Sequence, residues 1–183
     1  MKVSREQVRR NRERILEAAA RLFRERGFDG VTVVEVMKAA GLTHGGFYGH
    51  FDSKDALVKE AMAQAMPATP HKRAAQQSAV DFADAYLSPR HRDNRGGGCP
   101  VAGLGSEAAR ASAEVRSGLT NGIRKEIERF SAASPGTTAA ARRRAGIAAY
   151  AAMVGALTIA RIVDDEKLSA EILAATRKSL HLN

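Results

Sequence analysis

The sequence predicts an all-α protein. Its composition is rich in Ala and in charged residues, whereas aromatic residues account for only 5% and Trp is absent. Ala and most charged residues favour helices, and aromatic residues favour strands. Apolar residues from Ile15 to Phe23 recur at intervals of three and four, which is the spacing of one face of a helix. No segment of useful length alternates between apolar and polar residues as a strand does.

Four helices are expected in the first third of the chain. The first ends at Gly27, because glycine readily adopts the left-handed conformation that terminates helices. Thr32 and Glu35 have the spacing of a capping box, in which each side chain accepts a hydrogen bond from the other residue's amide. Gly41 ends the second helix, and Thr43 and Ser53 can cap the next two. The expected helices are 5–26, 33–40, 43–50 and 53–66.

Prolines separate this part from the rest of the chain. Pro67 and Pro70 interrupt any helix that reaches them. We therefore place a boundary between an N-terminal domain, residues 1–66, and a larger helical domain, residues 67–183. Residues 89–98 are rich in Arg and Gly and are predicted to form a loop. Further helices are predicted at 76–87, 100–113, 114–132, 138–163 and 165–180.

The charge distribution favours an anionic partner. The formal net charge is +9 and the pI is about 10.2. Residues 1–26 alone contain nine Lys or Arg and four Glu. Such a balance is typical of proteins that bind nucleic acid or an acidic membrane surface. The alternative is a basic helical face that is simply solvated.

The most apolar segment is better explained as a buried helix than as a membrane span. Ala145–Val163 has about the length of a span, but Gly146, Gly155, Thr158 and Arg161 dilute it, so no membrane partner is expected. The N-terminus lacks the apolar core of a secretory signal. Cys99 is the only cysteine, so an intramolecular disulfide is excluded. These features predict a cytoplasmic location.

Residues 32–57 have the pattern of a helix-turn-helix, in which the second helix enters the DNA major groove. The pattern resembles the DNA-binding signature of the TetR family, of the TetR/AcrR type, closely over residues 10–60 and more loosely after Cys99. Met37 departs from the Ala usual in the family and should change only the packing between the short helices. The matching elements are Gly27-Phe28-x-Gly30-x-Thr32, Ala40-Gly41, Gly46-Phe47-Tyr48, His50-Phe51 and Ser53-Lys54-x-x-Leu57.

The resemblance implies a transcriptional regulator, a repressor on this interpretation, that binds a palindromic double-stranded DNA operator. Thr43, His44 and Gly45 open the recognition helix near base edges and phosphate. Gly45 and Gly46 disfavour a helix by about 1 kcal/mol each relative to Ala, which close approach of the backbone to DNA would explain; loose local packing is the alternative. Phe47 is either core or a contact to a thymine methyl or sugar. The predicted DNA-binding residues are Thr32, Thr43, His44, Gly45, Gly46, Phe47, Tyr48, His50 and Lys54.

The resemblance also implies that the larger domain binds an unidentified inducer and forms a homodimer through its last two helices. Small residues would allow close approach of those helices: Gly146, Ala149, Gly155 and Ala156. Apolar residues could fill the seam: Leu157, Ile159, Ile162, Val163, Leu168, Ile172 and Leu173. An intramolecular core is the alternative for each of them. The candidate ligand-binding residues, which could equally be plain core, are Phe82, Tyr86, Leu104, Phe130, Tyr150 and Met153.

Cys99 is a candidate sensor of electrophiles or oxidants. It precedes Pro100, which is favoured at the first position of a helix, and it follows Arg90, His91, Arg92 and Arg95. A thiol at a helix N-terminus among cations should have a lowered pKa and raised reactivity. The alternative is a small, partly buried apolar side chain.

Other functional classes have weaker support. A cysteine-dependent enzyme would need His91 or another His as base, and no third orienting group is evident, so we expect no enzymatic activity. A helical membrane or adaptor protein built around Ala145–Val163 is a further alternative. His44, His50 and His71 lack acidic or Cys partners at metal-ligand spacing, so neither a metal nor another cofactor is expected. The operator, the inducer and the regulated genes cannot be read from the sequence.

Overall fold

The computed structural model describes residues 4–66 and 79–181, and the described part is helical without strands. This confirms the all-α prediction. Pro67, Pro70, His71 and the start of the helix predicted at Gln76 lie outside the described residues, as does the predicted domain boundary. The helices are α1 (Arg5–Arg26), α2 (Val33–Ala39), a 3-10 helix (His44–Gly49), α3 (Lys54–Ala65), α4 (Ala79–Tyr86), α5 (Pro89–Asp93), α6 (Pro100–Ala108), α7 (Ala113–Ala133), α8 (Ala139–Ile162) and α9 (Glu166–His181).

Local signals start and stop the first helices as predicted. The Ser4 hydroxyl caps α1 by accepting the Gln7 amide, and Gly27 ends the helix with φ +82°. Thr32 and Glu35 form the predicted capping box at the start of α2. Gly41 has φ +67°, a conformation that side chains with a Cβ rarely adopt, so glycine allows the sharp turn after α2.

Three secondary-structure predictions are wrong in detail. Residues 44–49 form a 3-10 helix rather than an α-helix, and Thr43 makes no side-chain cap; three of its six residues are Gly, which favours the α-helix poorly. The predicted loop at 89–98 contains α5, because Ser88 caps it and Pro89 occupies its first turn. The helix predicted to reach residue 113 ends at Ala108, since Ser112 caps α7 instead.

One apolar core unites the N-terminal helices with part of the larger half. Ile15, Phe23, Leu57 and Met62 are fully buried in it. Four residues from beyond position 100 belong to the same cluster: Leu104, Ala108, Val115 and Leu119. Leu104 therefore does not join the other candidate ligand-binding residues, because α6 turns this side chain toward α1.

The helices α7 and α8 pack closely within one chain. A Cβ at Gly146 would lie 2.5 Å from the backbone nitrogen of Ser131 on α7, so no side chain fits there. Gly146 thus permits close packing of α8 on α7 inside the protomer, so its predicted place between the dimerising helices is wrong. By length and composition α8 is the one helix in the described segments that could cross a membrane. The same test is passed by core helices of globular proteins, and α8 packs against α7, α9 and α6.

The capping box of α2 should make part of the stability pH-dependent. Hydrogen bonds from the Thr32 amide and hydroxyl, and then from Arg26, lower the pKa of Glu35 from 4.5 to about 2. A carboxyl whose folded pKa is depressed stabilises the fold fully above its unfolded pKa, and this contribution is lost as pH falls toward the folded value. We expect the free energy of unfolding of the wild type to exceed that of Glu35→Gln, and the difference to shrink as pH falls below 4.5 toward 2.

Urea unfolding at a series of pH values measures this difference. Glu17→Gln is the matched control, because Glu17 is an exposed carboxylate of α1 and the structure shows it no hydrogen-bond donor among the residues it describes. A difference for Glu35→Gln that stays constant down to about pH 3 would contradict the assignment.

Candidate nucleic-acid interface and regulatory core

The 3-10 helix presents an exposed polar and glycine-rich surface. Thr43, His44, Gly45 and Gly46 are exposed, and 72% of Tyr48 is accessible to solvent. The structure thus groups five of the nine predicted DNA-binding residues on one surface. His50 and Lys54 are half-buried at its edge, where α3 begins.

Neither packing nor backbone geometry requires glycine at positions 45 and 46. Neither residue has a positive φ. Among the described residues, a Cβ at Gly45 would have no atom within 4 Å, and one at Gly46 would meet only the Met37 Cε at 3.7 Å. Met37 itself is buried, in agreement with its predicted place between the short helices. The fold therefore leaves an open backbone surface here, which a bulky partner can approach closely.

Phe47 belongs to the core, so its assignment as a DNA contact is wrong. It is 1% exposed and stacks on Phe51 with ring centroids 5.8 Å apart. The spacing of four residues places both rings on the inner face, where they anchor the helix. Tyr48 meets the edge of Phe47 and points outward.

Arg12 braces the end of the 3-10 helix, a role that the sequence does not reveal. Its Nη2 lies 2.6 Å from both carboxylate oxygens of Glu60 on α3, and its Nη1 donates to the His50 carbonyl. The guanidinium carbon also lies 4.2 Å from the centre of the Phe51 ring. Among nine basic residues of the first helix region, no local signal singles out Arg12, because its partners are 38 to 48 residues away.

Thr32 has little hydrogen-bonding capacity left for a partner. Its hydroxyl accepts the Glu35 amide and lies 2.8 Å from a Glu35 carboxylate oxygen. Arg26 holds the same carboxylate at 2.8 Å. The structure therefore places Thr32 in the capping box first, at an exposed position.

A second core contains five of the six candidate ligand-binding residues: Phe82, Tyr86, Phe130, Tyr150 and Met153. The rings of Phe82 and Phe130 are 5.2 Å apart, and those of Phe130 and Tyr150 are 5.8 Å apart. Neither the Tyr86 nor the Tyr150 hydroxyl has a nitrogen or oxygen hydrogen-bond partner within the described ranges, and both interact with the Cys99 thiol. Buried polar groups are normally paired, so these two phenols are chemically conspicuous.

Cys99 lies in the same core, and its expected low pKa is wrong. The residue is 3% exposed. It occupies the N-cap position of α6, as predicted, but its side chain makes no capping hydrogen bond. Burial raises the pKa of the thiol, and this outweighs the hydrogen bond from Tyr86 and the charge of Arg161. Burial, followed by the nearby Cys99 thiol, also raises the pKa of Tyr86 and of Tyr150. The cations of the preceding segment do not make this thiol acidic, because desolvation dominates.

His91 organises this region and was not predicted to do so. Its Nδ1–H donates to the Tyr86 carbonyl at 2.7 Å, and its Nε2 accepts the Cys99 amide at 3.0 Å. Burial lowers its pKa to about 4, which keeps the ring neutral. Both ring nitrogens are thus occupied by the backbone, and neither faces the thiol as a general base would. This geometry speaks against the cysteine-dependent enzyme.

The last two long helices expose apolar residues on their outer surface. Ile159 is 50% exposed, Ile162 is 74% exposed and Leu168 is 42% exposed. Gly155 lies on the same side, and a Cβ there would have no atom within 4 Å. Leu157 and Leu173, by contrast, are buried within the protomer at 0% and 2% exposure, as is Ala156. Their assignment to an intermolecular seam is wrong, because the helical period turns them toward the second core.

Comparisons with known sequences agree on the N-terminal region. The family model for bacterial regulatory proteins of the tetR family matches residues 15–61. The HTH-type transcriptional repressor KstR2 of Rhodococcus jostii is 45% identical over 51 residues, which are 28% of this chain and 25% of KstR2. The regulator AcrR of Shigella flexneri is 37% identical over 57 residues, 31% of this chain and 26% of AcrR. The aligned region spans about a quarter of each of these relatives.

Solved structures extend the similarity of the fold to almost the whole chain. A TetR transcriptional regulator from Chloroflexus aurantiacus superposes with a TM-score of 0.76 at 25% identity, covering 97% of this chain and 95% of that one. The reduced form of E. coli NemR gives 0.75 at 24% identity, with 93% and 94% covered. Together these similarities show that residues 15–61 match the tetR family of bacterial regulatory proteins, and that the fold of almost the whole chain is that of TetR-family regulators of known structure.

Proposed function

We propose that this protein is a cytoplasmic transcriptional repressor that binds a palindromic DNA operator as a homodimer and leaves it when a small molecule binds the second core. The observation that carries the proposal is the exposed 3-10 helix, whose glycines serve no purpose inside the protomer. The inward rings of Phe47 and Phe51 and the Arg12 brace hold this helix rigidly. A rigid element with an open backbone suits insertion into a major groove.

The exposed residues divide into two roles. Thr43 and His44 begin the 3-10 helix and carry donors and acceptors suited to base edges. Tyr48, His50 and Lys54 lie farther along and suit phosphate oxygens, which fix position without reading sequence. A protein that neutralises phosphates with a basic N-terminal region will bind more weakly as salt rises.

Two copies are needed because a palindromic operator has two equivalent half-sites. The exposed stripe of Ile159, Ile162 and Leu168 is the apolar surface that a second copy would cover. Gly155 leaves space in the same stripe for a helix of the partner. An interface of this kind fixes the distance between the two recognition helices, which must match the half-site spacing.

For the inducer we favour a mainly apolar molecule with a hydrogen-bonding group. The second core offers aromatic surface around Phe82, Phe130 and Tyr150. In the described part of the chain the hydroxyls of Tyr86 and Tyr150 have only the Cys99 thiol, a weak acceptor, as a partner, so an oxygen acceptor on a ligand would form a stronger hydrogen bond with them. Few, well-placed polar groups in an apolar lining are typical of ligand sites. The same wall contains Cys99, which makes modification of the thiol by an electrophile that enters the core the second candidate trigger.

DNA recognition can be tested by separating the two roles. Replacing Thr43 or His44 with Ala should change base preference at one position per half-site by about 1–3 kcal/mol. Tyr48→Phe and Lys54→Gln should weaken binding evenly across sequences, because phosphate contacts carry no base information. Arg143→Gln removes an exposed cation from the start of α8 and serves as the control. Site selection from a random duplex library measures all five; unchanged preferences in both Thr43→Ala and His44→Ala would refute the assignment of this helix to base reading.

Assembly can be tested at Ile159. The wild type should sediment as a dimer at micromolar concentration, and Ile159→Glu as a folded monomer, because the charge would be buried unpaired only in the interface. Val34→Glu is the matched control, since Val34 is 53% exposed on α2, and this variant should stay dimeric. Leu157→Glu is unsuitable as a probe, because Leu157 is fully buried within the protomer and the variant should unfold. A monomeric wild type would count directly against the proposal.

The trigger can be tested at Cys99. Because the thiol is buried and its pKa is raised, it should alkylate more slowly in the folded protein at neutral pH than in the urea-unfolded chain. Operator affinity of the wild type and of Cys99→Ser should then be equal before and after brief treatment with iodoacetamide. If the treatment releases the wild type but not Cys99→Ser from DNA, the trigger is modification of the Cys99 thiol and not the noncovalent binding of a ligand.

A further inference from the structure

A groove away from the 3-10 helix runs between the end of α1, the helix α6 and the end of α8; it borders the second core at Ala102 and the exposed apolar stripe at Ile162. Its volume is about 630 Å³, which is within the range of sites that bind metabolites. Its walls come from both halves of the chain, with Arg24 from α1, Gly103 from α6 and Arg161 from α8.

The groove has an excess of positive charge. Four arginines and two glutamates line it. Of these, Arg26 is paired with Glu35, and Glu107 accepts the Phe28 amide at 2.6 Å. Arg24, Arg95 and Arg161 are left as the groove's cations without a carboxylate in ion-pair contact within the described ranges. A lining of this composition favours an anion.

The hydrogen bonds that hold two of these arginines also leave donors unused. Arg24 donates through Nε to the Gly96 carbonyl at 2.7 Å, while its Nη1 is buried and has no partner in the described segments. Arg161 donates through Nε to Arg92 and through Nη2 to His91, at 3.0 and 2.9 Å, in each case to the carbonyl. Backbone carbonyls therefore orient both guanidinium groups, and each group keeps N–H donors that make no hydrogen bond to these carbonyls. A buried donor without an acceptor is unfavourable.

Glycine keeps the floor of the groove open between these two arginines. A Cβ at Gly103 would lie 3.8 Å from the Arg24 carbonyl oxygen and 4.0 Å from the Arg161 Nη1, so the space beside both residues is free. A glycine inside a helix is unfavourable relative to Ala. No close packing compensates for it, because both contacts are at ordinary van der Waals distance or beyond.

We infer that this groove binds a small organic anion with two or more carboxylate or phosphate groups. Arg24 and Arg161 supply oriented guanidinium edges that match the geometry of such groups, and the exposed Arg95 adds a third cation to the lining. The inference goes beyond the proposed DNA and inducer sites, since it uses none of their residues. A bound anion would contact α1 as well as α6 and α8. It would therefore link the N-terminal helices to the larger half of the chain.

The test uses the full-length wild type with citrate, inorganic phosphate or sodium chloride at equal ionic strength. We expect citrate or phosphate to raise the Tm above the chloride reference and to give a saturable calorimetric signal. Arg95→Gln should weaken this binding at least about tenfold, the loss of one charge-assisted contact, because Arg95 makes no side-chain hydrogen bond or ion pair with the part of the chain that the structure describes.

Two further variants separate a site from general electrostatics. Gly103→Leu keeps every arginine but fills the floor, and it should abolish binding while circular dichroism shows unchanged helix content. Arg143→Gln removes the same charge as Arg95→Gln from the start of α8 and should bind like the wild type. The inference is overturned if neither anion exceeds the chloride reference, if Gly103→Leu binds as the wild type does, or if Arg143→Gln loses as much as Arg95→Gln. These outcomes are independent of operator binding.

Discussion

The burial of one face of α1 is the constraint on which the rest of the structure depends. Ile15 and Phe23 are fully buried, and the cluster around them includes Phe47 from the 3-10 helix and Leu104 from α6. One helix thus supplies the wall against which both the reading surface and the larger half are packed. Burial of large apolar side chains contributes about 1.5–3 kcal/mol each, so neither side can detach from α1 without a large loss of stability.

Hydrogen bonds from polar side chains add to the apolar contacts of α1 at both of its ends. Arg12, on the same helix, fixes the end of the 3-10 helix through the His50 carbonyl. At the other end of α1, Glu107 of α6 accepts the Phe28 amide, and a Cβ at Gly27 would lie only 2.7 Å from that carboxylate. The two ends of α1 therefore meet the 3-10 helix and the larger half respectively. A shift of α6 would reach α1 through both an apolar and a hydrogen-bonded contact.

Features that depend on neighbouring residues could be predicted from the sequence, and features that depend on distant packing could not. The capping box of Thr32 and Glu35 and the Cys99-Pro100 start of α6 involve residues at most three apart, so their chemistry is visible in the sequence. Arg12, His91 and Leu104 take their roles from partners elsewhere in the fold. Leu157 and Ile159 were both predicted in the seam between two copies, because the sequence does not show which face of α8 the protomer covers; in the structure Leu157 is buried and Ile159 is exposed. The Cys99 error has the same origin, because the charges of nearby arginines are visible in sequence and burial is not.

The open position at Gly155 has a consequence for partner choice. None of the described residues comes within 4 Å of a Cβ placed there, so the packing of these residues tolerates a side chain larger than glycine. If a second copy covers that surface, the side chain at 155 decides how near the two helices can come. A bacterium that produces several regulators of similar shape must prevent them from forming mixed pairs, and a steric mismatch at one position is an effective way to exclude the wrong partner. Gly155 would then serve to select the correct partner and not to stabilise the fold.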